Sequence, residues 1–274
     1  MAVNAPQPEE SKLSIDQPLY KAKEEFNDGR EIELLHFVHS ACGPERGSPQ
    51  KVLAAIDEYG RTRKYLMNIG RDKAKLVMDQ IKQAKPEVMV ELGGYVGYSA
   101  IAFGAALRDA GGRRYYSIEL NPEFAAVIAS LADLAGLSDV VKVVVGSSFA
   151  SLCRLQKERT LGQIDMLLLD HVKSEYTRDL KRCEEAGLVG VGTTLIADNV
   201  VYPGNPEYLA YVASTVEQKR EAYKKAKALG DQGSSEIVLG KPNLVYETEM
   251  KKSREPNGQP DAVEITICTG IELE

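Results

Sequence analysis

Three leucines in the segment LLLDHVKSEY (167–176) are followed at once by an acid, an imidazole and an amine. A leucine run is typical of a buried strand, so Asp170, His171 and Lys173 would lie directly after a strand end. The simplest interpretation of these side chains is a solvated loop. A second apolar run, TTLIAD (193–198), also ends in an acid. Ligands of open α/β sheets bind beyond the carboxyl ends of the strands, so the two runs together predict a site.

The polar residues after these two strands suit a hard divalent cation. If the strands are neighbours in the sheet, the side chains of Asp170, Asp198 and Asn199 meet at one rim. Two carboxylates and an amide oxygen suit Mg²⁺, which prefers near-octahedral oxygen ligation and would keep room for substrate and water. A vicinal dihydroxy aromatic could fill two of the open positions. Lys173 would then point at the substrate.

A glycine-rich turn follows the first predicted strand, in the segment ELGGYVGYSA (91–100). Gly93, Gly94 and Gly97 allow a tight turn and a close approach of the backbone to a ligand. The spacing is neither the GxGxxG pattern of dinucleotide sites nor that of a P-loop. Glu91 would repel a pyrophosphate but suits a cationic ligand. S-adenosylmethionine, which carries a sulfonium and an ammonium group, meets this requirement.

The next two predicted strand ends suit the rest of such a ligand. The segment SIELNPE (117–123) places Glu119 where an acid can accept hydrogen bonds from both ribose hydroxyls. The segment VVVGSSF (143–149) places Gly146 and Ser148 where they could border an adenine. The alternative is an ordinary Rossmann-like turn with an exposed Glu119.

Apolar runs alternate with amphipathic segments through most of the chain, which is typical of βαβ units and a mostly parallel sheet. The predicted strands are 88–92, 115–120, 140–145, 165–170 and 193–198, with helices beginning near Ser99, Pro122, Phe149, Tyr176 and Glu207. Two further runs, 243–250 and 262–270, flank an Asn-Gly pair and predict an antiparallel hairpin at the sheet edge. Three more helices are predicted before the first strand, from Glu31, from Ser48 and over 72–85.

Length and composition suit one intracellular domain. The chain has 274 residues, 43% of them apolar, and a formal net charge of -6, which disfavours a nucleic-acid-binding surface. Its four cysteines form no CxxC pair, so reduced cysteines are expected rather than disulfides or a zinc site. No apolar run is long enough to span a bilayer, and the polar start lacks a signal-peptide pattern. We expect a cytoplasmic protein with a polar, mobile extension at 1–28, a single domain at 29–274, and no membrane or nucleic-acid partner.

Seven short segments of the chain carry a resemblance to a known enzyme family. They are MNIG (67–70), VELGGYVGYSAI (90–101), IELNPEFAAVI (118–128), GSS (146–148), LDHVK (169–173), ADNVVYPG (197–204) and EYLAYV (207–212). With them the sequence resembles the catechol O-methyltransferases, which use S-adenosylmethionine and Mg²⁺. The resemblance implies an α/β, Rossmann-like class I methyltransferase fold, with a mostly parallel seven-stranded sheet, a C-terminal antiparallel hairpin and extra N-terminal helices. It implies methyl transfer from S-adenosylmethionine to one hydroxyl of a small catechol.

The resemblance also assigns roles residue by residue. Lys173 corresponds to the family's general base, and Asp170, Asp198 and Asn199 to its metal ligands. The implied cofactor-binding residues are Ile69, Glu91, Gly93, Tyr95, Ser99, Glu119, Leu120, Gly146, Ser148, Asp170 and His171. The implied substrate-contacting residues are Tyr65, Met67, Lys173, Asn199, Pro203 and Glu247.

The substrate walls depart from the family's pattern. Its mammalian members enclose the catechol with two tryptophans, whereas this chain has no Trp and carries Tyr65 and Val172 at those positions. Pro203 matches a third wall. A late glutamate that holds the second hydroxyl in mammalian members corresponds here to Glu247 or Glu249. We therefore expect a catechol site that is wider on the Val172 side.

Two other functions remain open on the sequence. A related cation-dependent enzyme could act on a caffeoyl thioester, for which the basic cluster Arg61, Arg63 and Lys64 would offer a groove, although a solvated helix face explains that cluster equally. A non-catalytic protein could keep only the S-adenosylmethionine pocket as a sensor, although it would not need a metal set and a base. The sequence leaves open the preferred catechol, the methylated hydroxyl and the oligomeric state.

Overall fold

The computed structural model describes residue 26 and residues 28–44, 46–230 and 237–273. The helices are α1 (Arg30–Cys42), α2 (Pro49–Thr62), α3 (Gly70–Ala84), α4 (Tyr98–Asp109), α5 (Pro122–Leu134), α6 (Ser148–Lys157), α7 (Tyr176–Glu185), α8 (Pro206–Val212) and α9 (Val216–Gly230). The strands are β1 (Val88–Leu92), β2 (Arg114–Glu119), β3 (Val141–Val145), β4 (Met166–Leu169), β5 (Thr194–Ala197), β6 (Leu244–Arg254) and β7 (Pro260–Ile271).

The strands form one seven-stranded sheet in the order β3-β2-β1-β4-β5-β7-β6. The pairs among β1 to β5 are parallel, and β7 pairs antiparallel with both β5 and β6. The predicted mostly parallel sheet with an antiparallel hairpin is therefore confirmed. Because chain order reverses at β1 and β4, a crevice opens beyond the carboxyl ends of these two strands.

Both faces of the central strands are buried, which explains their continuous apolar runs. Met89, Met166 and Leu168 face a core that is shared with α1–α5. The alternate residues Val90 and Leu167 face a second core, which includes side chains of α6, α7 and α8. The two cores hold the strand ends rigidly, so the loops that follow them start from fixed positions.

Three helices begin with a polar cap followed by proline. Ser48 accepts a hydrogen bond from the backbone N–H of Lys51 at 3.3 Å, and α2 starts at Pro49. Asn121 and Asn205 cap α5 and α8 in the same way, before Pro122 and Pro206 respectively. Such caps satisfy N–H groups that a helix leaves unpaired in its first turn. They fix where the helices after β2 and β5 begin.

The hairpin is longer than the apolar pattern predicts. Its strands extend to Arg254 and from Pro260, and the turn between them contains the predicted Asn257–Gly258 pair. The added part of β6 alternates between half-buried and exposed polar residues, so it carries no apolar signal. Helix α9 was not predicted because its sequence, VEQKREAYKKAKALG, is largely polar.

Other expectations are tested only in part. The predicted extension at 1–28 lies outside the described residues except for Phe26 and Asp28. All four cysteines are free, and three of them are buried. Within the described segments, no helix has the length and apolar character needed to cross a membrane.

Candidate functional site

A cavity of about 970 Å³ opens beyond the carboxyl ends of β1, β2, β4 and β5. Such a volume suits a cofactor together with a small substrate. The sequence-predicted residues that line it are Tyr65, Met67, Ile69, Gly93, Tyr95, Ser99, Glu119, Leu120, Gly146, Ser148, Asp170, His171, Val172, Lys173, Asp198, Asn199 and Pro203. Two predicted residues, Glu91 and Glu247, do not line it.

The glycine turn after β1 brings two strand ends into contact. Gly93 has a φ of 92°, and a Cβ there would lie 2.6 Å from the backbone oxygen of Asp170. Its N–H donates to the backbone oxygen of Ile118 on β2 at 2.9 Å. Only glycine combines this backbone conformation with so close an approach. The turn therefore holds the ends of β1, β2 and β4 together on one side of the cavity.

Glu119 organises the glycine turn from the end of β2. Its Oε2 accepts hydrogen bonds from the N–H groups of Gly94 (3.1 Å) and Tyr95 (2.9 Å), and its Oε1 accepts from Asn121 N (2.8 Å). The carboxylate thus faces the cavity from a fixed position. An acid held in this way can accept further hydrogen bonds from vicinal hydroxyls, such as those of a ribose.

Glu91 lies fully buried beneath the glycine turn rather than on the cavity wall. Ser117 Oγ donates to its Oε2 at 2.7 Å, while Oε1 has no hydrogen-bond partner among the described residues. Burial raises the pKa of Glu91 to about 8, against the opposing hydrogen bonds of Ser99 and Ser117. A buried carboxyl group with an unused oxygen fits an ammonium ligand, such as the amino group of S-adenosylmethionine.

The third strand end carries aromatic and charged groups that the sequence analysis did not assign. Beside Ser148, the cavity is lined by Phe149, Asp179 and Arg182. The guanidinium of Arg182 lies 5.0 Å from the ring centre of Phe149 and 3.5 Å from Asp179 Oδ1. His171 Nε2 lies 3.1 Å from Asp179 Oδ2. The ring of Phe149 could stack on a flat ligand, and the charged groups beside it could form hydrogen bonds to it.

Asp170, Asp198 and Asn199 meet at the adjoining ends of β4 and β5, as predicted. Within the described residues, no three carboxylate, imidazole or thiol groups come together to hold a metal, so a metal here needs the amide oxygen of Asn199. Burial and the charge of Asp170 raise the pKa of Asp198 to about 7. Asp198 is buried, and Lys73 Nζ lies 2.8 Å from its carboxylate. A divalent cation between the two carboxylates would relieve their repulsion.

The charges around this point also fit Mg²⁺. Four carboxylates pair there with two lysines, at distances of 2.8–3.2 Å; the six residues are Asp170, Asp198, Glu255, Asp261, Lys73 and Lys173. Four carboxylates and two lysines give the cluster a formal net charge of -2. An all-oxygen site with this excess charge is suited to Mg²⁺.

Lys173 is held at the cavity by the residues that follow it. Its Nζ lies 2.6 Å from Tyr176 Oη and 3.2 Å from Asp170 Oδ1. Tyr176 is fully buried and stacks on His171 with ring centres 5.0 Å apart. The side chain of Lys173 is therefore not a solvated loop lysine. Tyr176 was missed as a site residue, although its spacing from Lys173 in LDHVKSEY could have indicated it.

The substrate end is open and lacks large flat walls on one side. Val172 is 55% exposed, and Tyr65 packs edge-on against Phe26 with ring centres 6.2 Å apart. Glu247 lies opposite Ile267 in the hairpin and does not line the cavity. Glu255 lines the cavity instead, because the hairpin extends further than predicted.

Comparisons with known proteins match this chain to O-methyltransferases. The model of the O-methyltransferase family matches residues 50–228. The chain is 42% identical to catechol O-methyltransferase of Bos taurus over 65% of this chain and 64% of that protein, slightly under two thirds of its length. It is 39% identical to catechol O-methyltransferase of Mus musculus over 72% of each chain. It is 31% identical to transmembrane O-methyltransferase of Homo sapiens over 74% of this chain and 69% of that protein.

Solved structures share the fold. The O-methyltransferase from Bacillus cereus in complex with SAH aligns with a TM-score of 0.58 and 19% identity, over 86% of this chain and 97% of that one. The O-methyltransferase TomG from Streptomyces achromogenes in complex with SAM aligns with a TM-score of 0.55 and 21% identity, over 80% and 89%. The fold, the ordered motifs and the match over more than half of the chain lead to one conclusion: this chain belongs to the O-methyltransferase family.

Proposed function

We propose that the protein transfers a methyl group from S-adenosylmethionine to one hydroxyl of a catechol in an Mg²⁺-dependent reaction in the cytoplasm. The observation that carries the proposal is the shared cavity. Groups that suit the cofactor line one end of it, and Asp170, Asp198, Asn199 and Lys173 line the other. The relatedness to catechol O-methyltransferases supports the same substrate class.

The residues would divide the chemistry between binding and proton transfer. When bound, S-adenosylmethionine supplies an electrophilic methyl group and Mg²⁺ lowers the pKa of a phenol. Glu119 would hold the ribose of the cofactor, and the buried carboxyl group of Glu91, beneath the glycine turn, would favour its ammonium group through its charge. Lys173, which Tyr176 holds at the cavity, would serve as the general base that accepts the phenol proton. Holding both reactants in line contributes up to about 7–11 kcal/mol in well-oriented systems.

The charges on the cavity wall favour a small catechol over a large anionic thioester. Only two lysine or arginine side chains line the described cavity, against seven carboxylates: Lys173 and Arg182, against Glu119, Asp170, Glu175, Asp179, Asp198, Glu207 and Glu255. The basic cluster of Arg61, Arg63 and Lys64 lies outside the lining, where Lys64 pairs with Glu33 at 2.9 Å. A phosphate-bearing substrate would therefore meet repulsion at the site.

A methyl-transfer assay tests the proposal. Labelled S-adenosylmethionine is offered with catechols, matched monophenols and a caffeoyl thioester, each with Mg²⁺ and with excess EDTA. We expect transfer to catechols alone, and loss of it in EDTA. Full activity in EDTA would overturn the metal assignment, whereas preference for the thioester would favour the other enzyme class. Cofactor binding without transfer to any substrate would indicate a sensor.

A further inference from the structure

A buried network of charges lies immediately behind the proposed metal ligands. Lys73 of α3 is fully buried, and its Nζ lies 2.8–2.9 Å from carboxylate oxygens of Asp198, Glu255 and Asp261. Its partners are 125 to 188 residues away in the chain. Burying a lysine is costly unless it is paired, and Lys73 is paired with three carboxylates.

The same two hairpin carboxylates also hold Asn199. Its side-chain nitrogen Nδ2 donates to Glu255 Oε1 and, at 3.0 Å, to Asp261 Oδ2. The other oxygen of Asp261 accepts from the backbone N–H groups of Val201 (3.2 Å) and Tyr202 (2.8 Å). Asp261 thus fixes both the side chain of Asn199 and the backbone that follows it.

This contact decides which atom of the amide faces the metal position. The oxygen and nitrogen of an asparagine amide exchange places by a simple rotation, and only the oxygen can bind a cation. Two carboxylates attract the N–H₂ group and repel the amide oxygen. They therefore turn Oδ1 of Asn199 away from the hairpin.

We propose that Lys73, Glu255 and Asp261 are positioning residues that fix the amide orientation of Asn199 and the carboxylate of Asp198 for Mg²⁺. The inference rests on the proposed function, since it takes these two residues as metal ligands. Partners behind a metal ligand orient it, and their loss typically lowers metal affinity about 10–100-fold. None of the three needs to contact the metal.

Asp261→Asn tests the role directly. The variant places an N–H₂ group or a poorer acceptor against Nδ2 of Asn199, so we expect Mg²⁺ affinity, measured by calorimetry, to fall about 10–100-fold. S-adenosylmethionine affinity should stay unchanged. The control is Asp165→Asn, since Asp165 also accepts from two backbone N–H groups, those of Glu87 and Val88, at the opposite end of the sheet. A merely structural role would lower thermal stability in both variants without a selective loss of Mg²⁺ binding.

The Asn199→Asp variant distinguishes an effect on the orientation of the Asn199 amide from an effect of charge alone. In Asn199→Asp, both side-chain oxygens can bind a cation, so no orientation is required. Adding Asp261→Asn to Asn199→Asp should then cause no further loss of Mg²⁺ affinity, whereas a pure charge effect predicts the same loss in both backgrounds. An equal loss would overturn the proposal.

A charge-conserving variant covers the case in which Asp261→Asn does not fold. Lys73→Met/Asp261→Asn removes one charge of each sign, so the net charge at the site is unchanged. We expect its Mg²⁺ affinity to fall as well, and an affinity equal to that of the native protein would overturn the proposal. Absence of Mg²⁺ binding in the native protein would instead contradict the proposed function.

Discussion

Two buried carboxyl groups show how surroundings set the chemistry of single residues. Glu91 and Asp198 are both almost inaccessible to solvent, and burial raises the pKa of each. Glu91 lacks part of its hydrogen bonding, since its Oε1 has no partner among the described residues, whereas Asp198 pairs with Lys73 at 2.8 Å. Groups kept in this state weaken the free protein and become useful when a positively charged ligand arrives. The site therefore carries a stability cost that its ligands offset.

Replacing Glu91 by Gln should stabilise the ligand-free protein at high pH. Because its folded pKa of about 8 lies above the unfolded value, the folded state holds a proton that the unfolded chain has released. This contribution to stability is present at low pH and is lost as the pH rises towards 8. Between pH 6 and 9 the native protein should thus lose about 3 kcal/mol that Glu91→Gln does not lose.

Urea unfolding of both proteins at pH 6 and pH 9, without metal or cofactor, measures this difference. Other titrating groups are common to the two proteins and cancel in the comparison. If the stability difference is the same at both pH values, Glu91 is already ionised at pH 6 and its pKa is not raised.

Glu119→Gln should weaken cofactor binding selectively. A glutamine at 119 can accept from the glycine turn or from Asn121 but cannot serve both sides, since one of its ends is a donor. Loss of a hydrogen bond to a charged group costs about 1.5–3 kcal/mol. Calorimetry should show that loss for S-adenosylmethionine and none for Mg²⁺. Glu123→Gln, on the exposed first turn of α5, is the control; equal affinities in the two variants would place the ribose elsewhere.

The loops after the strands do most of the assembly of the site. The glycine turn touches β2 and the end of β4, the segment after β4 carries His171 and Lys173, and the turn after β5 is fixed by the hairpin. Loops of this kind hold their shape only because the strands that carry them are buried on both faces. A substitution in one of these loops should therefore displace residues at the end of another strand.

Gly93→Ala compared with Gly111→Ala tests this coupling. The two glycines have nearly the same φ, 92° and 90°, but nothing lies within 4 Å of a Cβ at Gly111, whereas one at Gly93 meets Asp170. Both variants should lose about 1–3 kcal/mol of stability from backbone strain. Only Gly93→Ala should also displace Asp170 and lose Mg²⁺ and cofactor affinity. Unchanged affinities in Gly93→Ala would show that the two strand ends move independently.

The residues that line the cavity come from most of the chain, between Tyr65 and Asn257, and include residues at the ends of most strands of the single sheet. No described residue before Tyr65 lines the cavity, but Phe26 packs on Tyr65 and lies 3.4 Å from the guanidinium of Arg30. Residues near the start of the described chain therefore support one wall of the site without entering it.

Two shortened chains should separate these contributions. A chain of residues 26–274 should keep cofactor affinity and the KM for catechol, because the described cavity walls are intact. A chain of residues 29–274 loses Phe26 and the ion pair of Asp28 with Arg30, so its KM should rise while its cofactor affinity stays the same. Loss of folded protein in the longer of the two would show that residues 1–25 are needed for stability.

The sequence by itself determined the order of strands and helices and the chemistry of the strand ends. Continuous apolar runs and glycine-rich turns are local signals, and in a parallel sheet all carboxyl ends share one edge. This is why Asp170, Asp198, Asn199 and Lys173 could be placed at one site before any coordinates. The structure places Glu247 opposite Ile267 and outside the cavity lining. Strand length in an exposed hairpin leaves no apolar pattern, so the sequence could not fix the register of this residue.

Only the tertiary structure decided what lies behind the strand ends. Lys73 sits in a helix whose sequence shows an ordinary amphipathic pattern, and Asp261 lies 188 residues later, at the start of β7. Their pairing depends on how α3 packs against the hairpin. Residue spacing along the sequence does not indicate this long-range contact. The raised pKa values of Glu91 and Asp198 arise in the same way, because burial and neighbouring charge belong to the folded chain and not to the sequence motif.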